Sequence, residues 1–186
     1  DEEADGQSGT NVFILAALKR FQRDNALLNA LDNVGLERLT NIALHQLFHD
    51  DDMIIKQGDV GDGCYLLVEG QVKVTLEEKD NSEIARITPG GFFGEMALLS
   101  AGPRSASVWA VGDTTVFYFG RDDFMPLLRD YPQLHSALSG VAVKRTEENL
   151  WRVLFDDSDI EKSLSELDDN IFQESDLLEQ PIVVSS

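Results

Sequence analysis

Short runs of β-forming residues, separated by turn residues, fill the middle of the chain between residues 53 and 119. In one of these runs Val72, Val74 and Leu76 alternate with polar residues, which is the period of a strand with one buried face. Many short strands at regular spacing are typical of an antiparallel jelly-roll β-barrel, and we predict that fold. Turns are expected at 58–63, 69–70, 80–81 and 89–91, and further strands at 53–55, 64–68, 83–87, 105–111 and 115–119.

Helical patterns flank the strands on both sides, so the predicted fold class is α+β, mainly β. Before the strands, apolar residues repeat at a helical spacing within residues 11–50, and a third helix is predicted from Leu36 toward Phe48. His45 and His49 lie four residues apart on that helix, which is a spacing that zinc ligands use. Because no third ligand is near them in the sequence, we interpret both as surface or capping residues.

After the strands, Asp122 and Asp123 are expected to cap a helix that reaches Leu128. Pro132 suits the first turn of a second helix that runs to about residue 155. The chain is therefore divided into five segments. They are a disordered acidic leader (1–10), an N-terminal helical bundle (11–50), a β-roll (51–121), C-terminal helices (122–155) and an acidic tail whose apolar spacing fits an amphipathic helix (156–186).

Charge is unevenly distributed along the chain, whose formal net charge is −19. Residues 156–186 hold ten acidic residues and one lysine, and residues 1–10 hold four acidic residues and no basic one. Such a chain repels the phosphates of nucleic acids, so no nucleic-acid partner is expected.

The single cysteine, Cys64, fits a reducing compartment and indicates a cytoplasmic protein. No apolar run approaches the roughly 18 residues of a membrane span, so direct membrane insertion is not expected.

One stretch, residues 90–108, carries the residue types of an anion site. A glycine turn precedes a short run of helix formers, a Gly-Pro pair ends that run, and Arg104 follows. The first amides of a helix lack helical partners and suit an anion, to which Arg104 adds a charged planar fork. Glu95 would repel a phosphate, but it suits a ligand that also carries a hydroxyl group, as a ribose does. Taken singly, Glu95 is explained as a first-turn carboxylate and Arg104 as a surface cation.

The segment Phe93-Gly94-Glu95-Met96-Ala97-Leu98-Leu99, followed by Pro103-Arg104-Ser105-Ala106-Ser107-Val108, resembles the phosphate-binding cassette of cyclic nucleotide-binding domains. These domains are the cAMP and cGMP sensors of kinase regulatory subunits, ion channels and bacterial regulators. The resemblance extends from about Leu27 to about Leu154. It implies that Glu95 accepts the ribose 2′-hydroxyl, that Arg104 pairs with the cyclic phosphate, and that amides around Ala97 and Leu98 complete the cradle. The site residues that it implies are Gly94, Glu95, Met96, Ala97, Leu98, Arg104, Ser105 and Ala106.

By this resemblance the chain is expected to bind cAMP or cGMP without catalysis, and to need no cofactor and no metal. Closure of the C-terminal helices over the base would relay binding to an attached effector, such as a kinase catalytic subunit or a channel. Two alternatives remain open: a ligandless protein-interaction domain of the same fold, and a fragment of a cAMP-responsive transcription regulator. The second would need a basic recognition helix, whereas residues 156–186 are acidic. A jelly-roll enzyme is disfavoured because the metal ligands of that class are missing.

Ser105 bears on which base is bound. Its hydroxyl could accept a hydrogen bond from the guanine amino group and so favour cGMP. It could instead turn to the phosphate, as in bacterial cAMP regulators, which carry Arg-Ser-Ala at the same place. No second guanine-reading residue is evident in the sequence. We therefore favour cAMP and expect only modest discrimination against cGMP.

Overall fold

The computed structural model describes the backbone of residues 2–154 and, within it, the side chains of residues 9–145. Within the described part, the residues up to Val143 form one compact unit, and the residues from Lys144 onward belong to a second one. The helices are α1 (Glu2–Gln22), α2 (Ala26–Asn29), α3 (Asn33–Ile42), α4 (Met96–Leu99), α5 (Arg121–Asp130) and α6 (Pro132–Leu154). The strands are β1 (Leu44–Phe48), β2 (Met53–Ile55), β3 (Gly63–Leu76), β4 (Ser82–Ile87), β5 (Phe92–Phe93) and β6 (Ser107–Gly120), and a 3₁₀ turn, Glu77–Lys79, follows β3.

Six antiparallel strands form one sheet within the described residues, in the order β1-β6-β3-β4, with β2 also paired to β6 and β5 to β3. The long central strands β3 and β6 shift register between Leu67 and Gln71, where Gly70 has a φ of +85°. A Cβ at Gly70 would lie 2.5 Å from the carbonyl oxygen of Asp113, so this bulge requires glycine. The predicted fold class, mainly β with flanking helices, is confirmed.

Two apolar cores lie on opposite faces of the sheet, because side chains along a strand alternate between its faces. Along β3, Leu66 and Val68 join the core that packs against the helices, while Leu67 joins the second core. The helix-side core also contains Leu18, Leu36, Phe117, Phe124 and Leu138. The second core, which lies inside the β-roll, consists of Ile55, Leu67, Val72, Phe93, Val108 and Val116.

The N-terminal segment differs from the sequence-based prediction in two ways. α1 already begins at Glu2, so residues 2–10 of the predicted disordered leader are helical. α3 ends at Ile42, and Leu44–Phe48 form β1, so the helical bundle predicted over 11–50 includes a strand. The helical spacing of the apolar residues was misleading here, because β1 is formed by pairing with β6, which lies far away in the sequence.

The two histidines consequently do not share a helix face. His45 lies on β1, with its ring 5.9 Å from that of Phe13 and 6.1 Å from that of Phe117. His49 follows β1 and is exposed, with Nδ1 3.0 Å from a carboxylate oxygen of Asp113. The hydrogen bond to that carboxylate raises the pKa of His49.

The C-terminal part of the described chain agrees with the prediction in outline. The strands predicted at 105–111 and 115–119 are one continuous strand, β6. α5 begins after Gly120 without a side-chain cap, and Asp122 and Asp123 lie in its first turn, so the predicted capping role is wrong. α6 begins at Pro132, as predicted. The predicted acidic tail lies outside the described residues. Within the described part, no helix combines the length and the apolar character needed to cross a membrane.

Candidate functional site

The backbone around Arg104 is held by the loop that connects β2 to β3. Val60 and Pro103 form an isolated antiparallel bridge between the two segments. The Arg104 amide donates to the carbonyl oxygen of Asp59 at 2.7 Å, and the Gly58 amide donates to the carbonyl oxygen of Arg104 at 2.9 Å. Hydrogen bonds on both sides of Arg104 therefore set the direction of its side chain.

The guanidinium of Arg104 is buried close to the turn that precedes α4. Its side chain is only 9% exposed, and Nη1 donates to the carbonyl oxygen of Gly94 at 2.9 Å. Nη2 lies 3.7 Å from a carboxylate oxygen of Asp62, whose side chain is exposed. A buried cation that contacts one carbonyl and one solvent-facing carboxylate is suited to an incoming anion, which can replace the carboxylate.

Two glycines allow this close packing. Gly94 has a φ of +71°, and a Cβ there would lie 2.7 Å from Nη1 of Arg104. A Cβ at Gly61 would lie 2.6 Å from the Cβ of Ala97 and 3.2 Å from Cζ of Arg104. The Arg104 guanidinium, the turn before α4 and the Gly61 loop therefore approach one another without room for side chains at these two positions.

Glu95 lies at the start of α4 and is only 1% exposed. Its negative charge and the positive charge of Arg104 act on the same neighbour, the buried thiol of Cys64. Burial is the main reason that the pKa of Cys64 is raised; the Glu95 charge raises it further, and the Arg104 charge opposes both. Glu95 and Arg104, which were predicted from the sequence, thus shift the pKa of the same β3 residue, Cys64, in opposite directions.

The remaining predicted residues occupy different environments. The Ala97 amide donates to the Gly94 carbonyl at 3.3 Å and the Leu98 amide to the Glu95 carbonyl at 3.0 Å, so both are engaged within the turn. The side chain of Leu98 belongs to the helix-side core, and Met96 is half-buried. Ser105 is exposed and Ala106 is half-buried, at the bend that leads into β6. Of the predicted site residues, Gly94, Glu95, Ala97 and Arg104 therefore lie closest to one another.

Asp62 is a residue that the sequence analysis treated only as part of a turn. Besides the contact of its carboxylate with Arg104, its carbonyl oxygen accepts from the Arg121 amide at 2.8 Å and from the Tyr118 hydroxyl at 3.3 Å. Arg121 is the first residue of α5. Asp62 therefore connects the guanidinium of Arg104 to the start of the C-terminal helices.

An aromatic cluster beside the site was also missed. The ring of Tyr65 stacks on Phe93 at 5.1 Å with an interplanar angle of 8°, and it lies 5.1 Å from the ring of Tyr118. Burial, followed by the charge of Asp62, raises the pKa of Tyr118 to about 12. The positive charge of Arg104 acts on both tyrosines. Only the strand register, which pairs Tyr65 with Phe93 and with Tyr118, brings these rings together.

Apolar side chains adjoin the turn at Gly94. A Cβ at Gly94 would lie 3.0 Å from Cδ1 of Ile55, which belongs to the core inside the β-roll. Val74 and Ile87 pack against that core and are only partly buried. The turn at Gly94 therefore packs directly on the apolar core inside the β-roll. Among the described residues, no group of three or more His, Cys, Asp or Glu side chains is arranged to hold a metal ion.

A separate cleft of about 660 Å³ lies between α2, the loop that joins it to α3, and the start of α6. Across it, the Tyr131 hydroxyl donates to a carboxylate oxygen of Asp32 at 2.8 Å. The cleft contains none of the predicted site residues, so its size does not identify the site. Its lining consists of Ala26, Asn29, Ala30, Leu31, Asp32, Tyr131, Gln133 and Ala137.

Comparison with known proteins identifies one family. Residues 45–131 match the family model of the cyclic nucleotide-binding domain. The chain is 33% identical over 122 residues to a cAMP-dependent protein kinase type II regulatory subunit of Drosophila melanogaster, a match that covers 62% of this chain and 32% of that protein. The matched family is therefore one of regulatory, ligand-binding domains.

Two solved structures share the fold. The catabolite activator protein of Thermus thermophilus superposes with a TM-score of 0.60 at 29% identity, covering 76% of this chain and 63% of that one. The regulatory domain of Toxoplasma gondii PKA, crystallised with cAMP, superposes with a TM-score of 0.57 at 29% identity, covering 62% and 45%. In each of these comparisons the chain spans less than two thirds of the protein that it matches.

Proposed function

Residues 45–131 constitute a cyclic nucleotide-binding domain, and from this premise we propose that the chain is a cAMP sensor whose ligand is held at Gly94, Glu95 and Arg104. The observation that carries the proposal is the buried guanidinium of Arg104, which contacts the Gly94 carbonyl and an exposed carboxylate. Calorimetric titration of the chain with cAMP tests it directly. A chain that binds neither cAMP nor cGMP would instead be the ligandless interaction domain considered above.

In this proposal Arg104 pairs with the cyclic phosphate. At about 4 Å and an effective dielectric constant near 20, one such charge pair is worth about 4 kcal/mol before desolvation. The chain has a net charge of −19, so its overall field opposes an anionic ligand and the attraction must be local. Arg104 therefore supplies the dominant electrostatic attraction, and the phosphate replaces the Asp62 carboxylate beside it.

In this proposal the Glu95 carboxylate accepts a hydrogen bond from the 2′-hydroxyl of the ribose. This carboxylate is buried next to the same turn, where a hydroxyl donor on the ligand can approach it while the phosphate lies toward Arg104. The amides of Ala97 and Leu98 donate within the turn at 3.3 and 3.0 Å, so in this proposal they exchange those hydrogen bonds for the phosphate when the ligand binds. The flat base then lies against apolar side chains that line the interior of the β-roll.

Binding is relayed through Asp62. When phosphate replaces its carboxylate at Arg104, the loop that also holds the Arg121 amide and the Tyr118 hydroxyl is released from that contact. α5 begins at Arg121, so a change in this loop reaches the C-terminal helices first. We infer that an attached effector, such as a kinase catalytic subunit or a channel, responds to that movement in a cytoplasmic protein.

Asp62→Asn should increase the affinity for cAMP by up to about fivefold. The variant removes a carboxylate that competes with the phosphate, and exposed charge pairs are worth about 0.2–1 kcal/mol. Asp59→Asn is the matched control, because it makes the same charge change in the same loop, while Asp59 contacts Arg104 through its carbonyl oxygen. Titration calorimetry gives both affinities. An equal gain in both variants would indicate a general charge effect and contradict the direct competition.

Hydrogen exchange should slow on addition of cAMP in α5 and α6 as well as in residues 90–108. Closure of the helices buries amides that open to solvent in the free protein. Exchange measured by mass spectrometry with and without saturating cAMP makes the comparison, and the Arg104→Ala variant with cAMP is the control for nonspecific effects. Protection confined to residues 90–108 would show binding without helix closure.

cAMP and cGMP should bind with affinities that differ only modestly, in favour of cAMP. The exposed Ser105 hydroxyl can contact either the phosphate or the guanine amino group, and one ordinary hydrogen bond is worth about 1 kcal/mol. Side-by-side titrations with the two nucleotides measure the difference, and Ser105→Ala should reduce any affinity for cGMP more than for cAMP. A preference for cGMP beyond about a hundredfold, roughly 2.7 kcal/mol, would overturn this choice.

The transcription-regulator alternative draws on the Thermus catabolite activator protein, which shares the fold. It would require a basic surface in the part of the chain that follows the domain. Residues 156–186 hold ten acidic residues and one lysine, which disfavours contact with DNA phosphates. A gel-shift assay with and without cAMP separates this alternative from the sensor proposed here.

A further inference from the structure

The strands at the two ends of the order β1-β6-β3-β4 differ in how their open edges are protected. At one end, β4 carries Glu83 and Arg86, which form an ion pair at 2.8 Å. Charged side chains on an edge strand prevent another strand from pairing with it. At the other end, β1 has the sequence Leu44-His45-Gln46-Leu47-Phe48, which contains no acidic residue, lysine, arginine or proline. The edge formed by β1 therefore lacks the charged residues and the proline that protect many edge strands.

β1 also exposes apolar side chains. Leu44 is 57% exposed and Leu47 is 68% exposed. β6 occupies one edge of β1, and within residues 2–154 no strand pairs with the other edge. Phe13 of α1 packs its ring against His45 and is itself exposed, as is Val12 next to it. The apolar surface thus continues from β1 onto α1.

We propose that β1 is a contact between two copies of this chain, in which the two β1 strands pair antiparallel across a twofold axis at Gln46. This register places Leu44 opposite Phe48 of the second copy and His45 opposite Leu47 of the second copy. Both pairings set apolar or aromatic side chains against each other, which stabilises cross-strand pairs. The strand is therefore complementary to itself, as a twofold contact requires.

The charge distribution favours antiparallel pairing of the two β1 strands over parallel pairing. The acidic turn Asp50–Asp52 directly follows β1 in a chain of net charge −19. With Gln46 on the axis, the Asp50 of each copy lies opposite Ile42 of the other, so the two acidic turns are at opposite ends of the strand pair. A parallel pairing would place the two acidic turns side by side, where like charges repel.

The contact is expected to be weak. Two paired strands of five residues bury much less than the roughly 1,200 Å² typical of stable protein interfaces. Because two copies of a strongly acidic chain repel each other, salt should strengthen the association by screening that repulsion. Dimers should therefore form at high protein concentration and become more abundant as ionic strength increases.

Analytical ultracentrifugation of the whole 186-residue chain over a range of protein and salt concentrations tests the proposal. Leu47→Lys should weaken association at least about tenfold, since it places a charge on the paired edge. Val34→Lys is the matched control, because Val34 is 60% exposed on α3 and the variant makes the same charge change. By reducing the net negative charge, each lysine should by itself favour association, so a loss confined to Leu47→Lys cannot come from overall repulsion.

Oxidative crosslinking tests the register. Gln46→Cys should form a disulfide-linked dimer, because directly opposite Cβ atoms in an antiparallel pair lie about 4.5–5.5 Å apart, close to disulfide geometry. Leu47→Cys should not, since the two Leu47 positions would be diagonal neighbours about 7–8 Å apart. The native Cys64 is fully buried and does not compete. A chain that stays monomeric under all conditions, a dimer that Leu47→Lys leaves intact, or crosslinking through position 47 and not 46 would overturn the proposal.

Discussion

cAMP should bind the Arg104→Ala variant about thirtyfold to several thousandfold more weakly than it binds the original chain. Removing one partner of a buried, hydrogen-bonded charge pair costs roughly 2–5 kcal/mol, and each 1.4 kcal/mol is about tenfold in affinity. The guanidinium is 9% exposed and lies at the turn that would hold the phosphate, so water replaces it poorly. Titration calorimetry, with competition where the affinity is low, measures the loss.

Two further variants separate the role of Arg104 in binding from a role in folding. Arg104→Lys keeps the charge but loses the planar fork, and should recover only part of the affinity. Arg86→Ala removes an exposed arginine of β4, paired with Glu83 on the surface, and should leave cAMP binding unchanged. Thermal melts of all three variants show whether each one folds. Unchanged affinity in a folded Arg104→Ala variant would remove the basis of the proposed site.

Glu95→Ala should weaken cAMP binding by about tenfold to a hundredfold. A hydrogen bond to a charged acceptor contributes about 1.5–3 kcal/mol, and the buried carboxylate has no bulk water to take the place of the ribose hydroxyl. Glu95→Gln keeps the shape of the side chain and an acceptor oxygen, and should lose less affinity than Glu95→Ala. Calorimetric titration of both variants provides the comparison.

A coupling experiment determines whether Glu95 acts on the 2′-hydroxyl. The original chain and Glu95→Ala are each titrated with cAMP and with 2′-deoxy-cAMP, which makes a double-mutant cycle between protein and ligand. The loss caused by Glu95→Ala should be much smaller with the deoxy ligand, because the contact is already absent. If the two losses simply add, Glu95 supports the turn in some other way.

The elements that could be predicted from sequence are those that depend on local pattern. The alternation of Val72, Val74 and Leu76 predicted a half-buried strand, and the structure places all three within β3. Pro132 begins α6, as its fixed φ favours. The glycine turn and the short helix within residues 90–108 were also recognisable, because glycines and helix-forming residues favour those conformations over a few residues. The ligand roles of the residues in that stretch stay predictions.

The features that sequence did not reveal depend on partners distant along the chain. Leu44–Phe48 carries a helical spacing of apolar residues, yet forms β1 because β6 offers it a strand partner. Asp62 reaches Arg104 only because the Val60–Pro103 bridge joins two loops about forty residues apart. Tyr65, Phe93 and Tyr118 form a cluster through the registers of β3 with β5 and with β6.

Local chemistry was therefore sufficient for the fold class and for the residue types of the candidate site, since turn preferences and strand periodicity act over a few residues. Tertiary structure decided what surrounds those residues, namely the burial of Arg104 and Glu95 and the Asp62 carboxylate beside Arg104, and it also left the outer edge of β1 without a strand partner among the described residues. These environments follow from long-range strand pairing and packing, whose free energies outweigh local propensity. No short window of sequence contains both partners of such a contact.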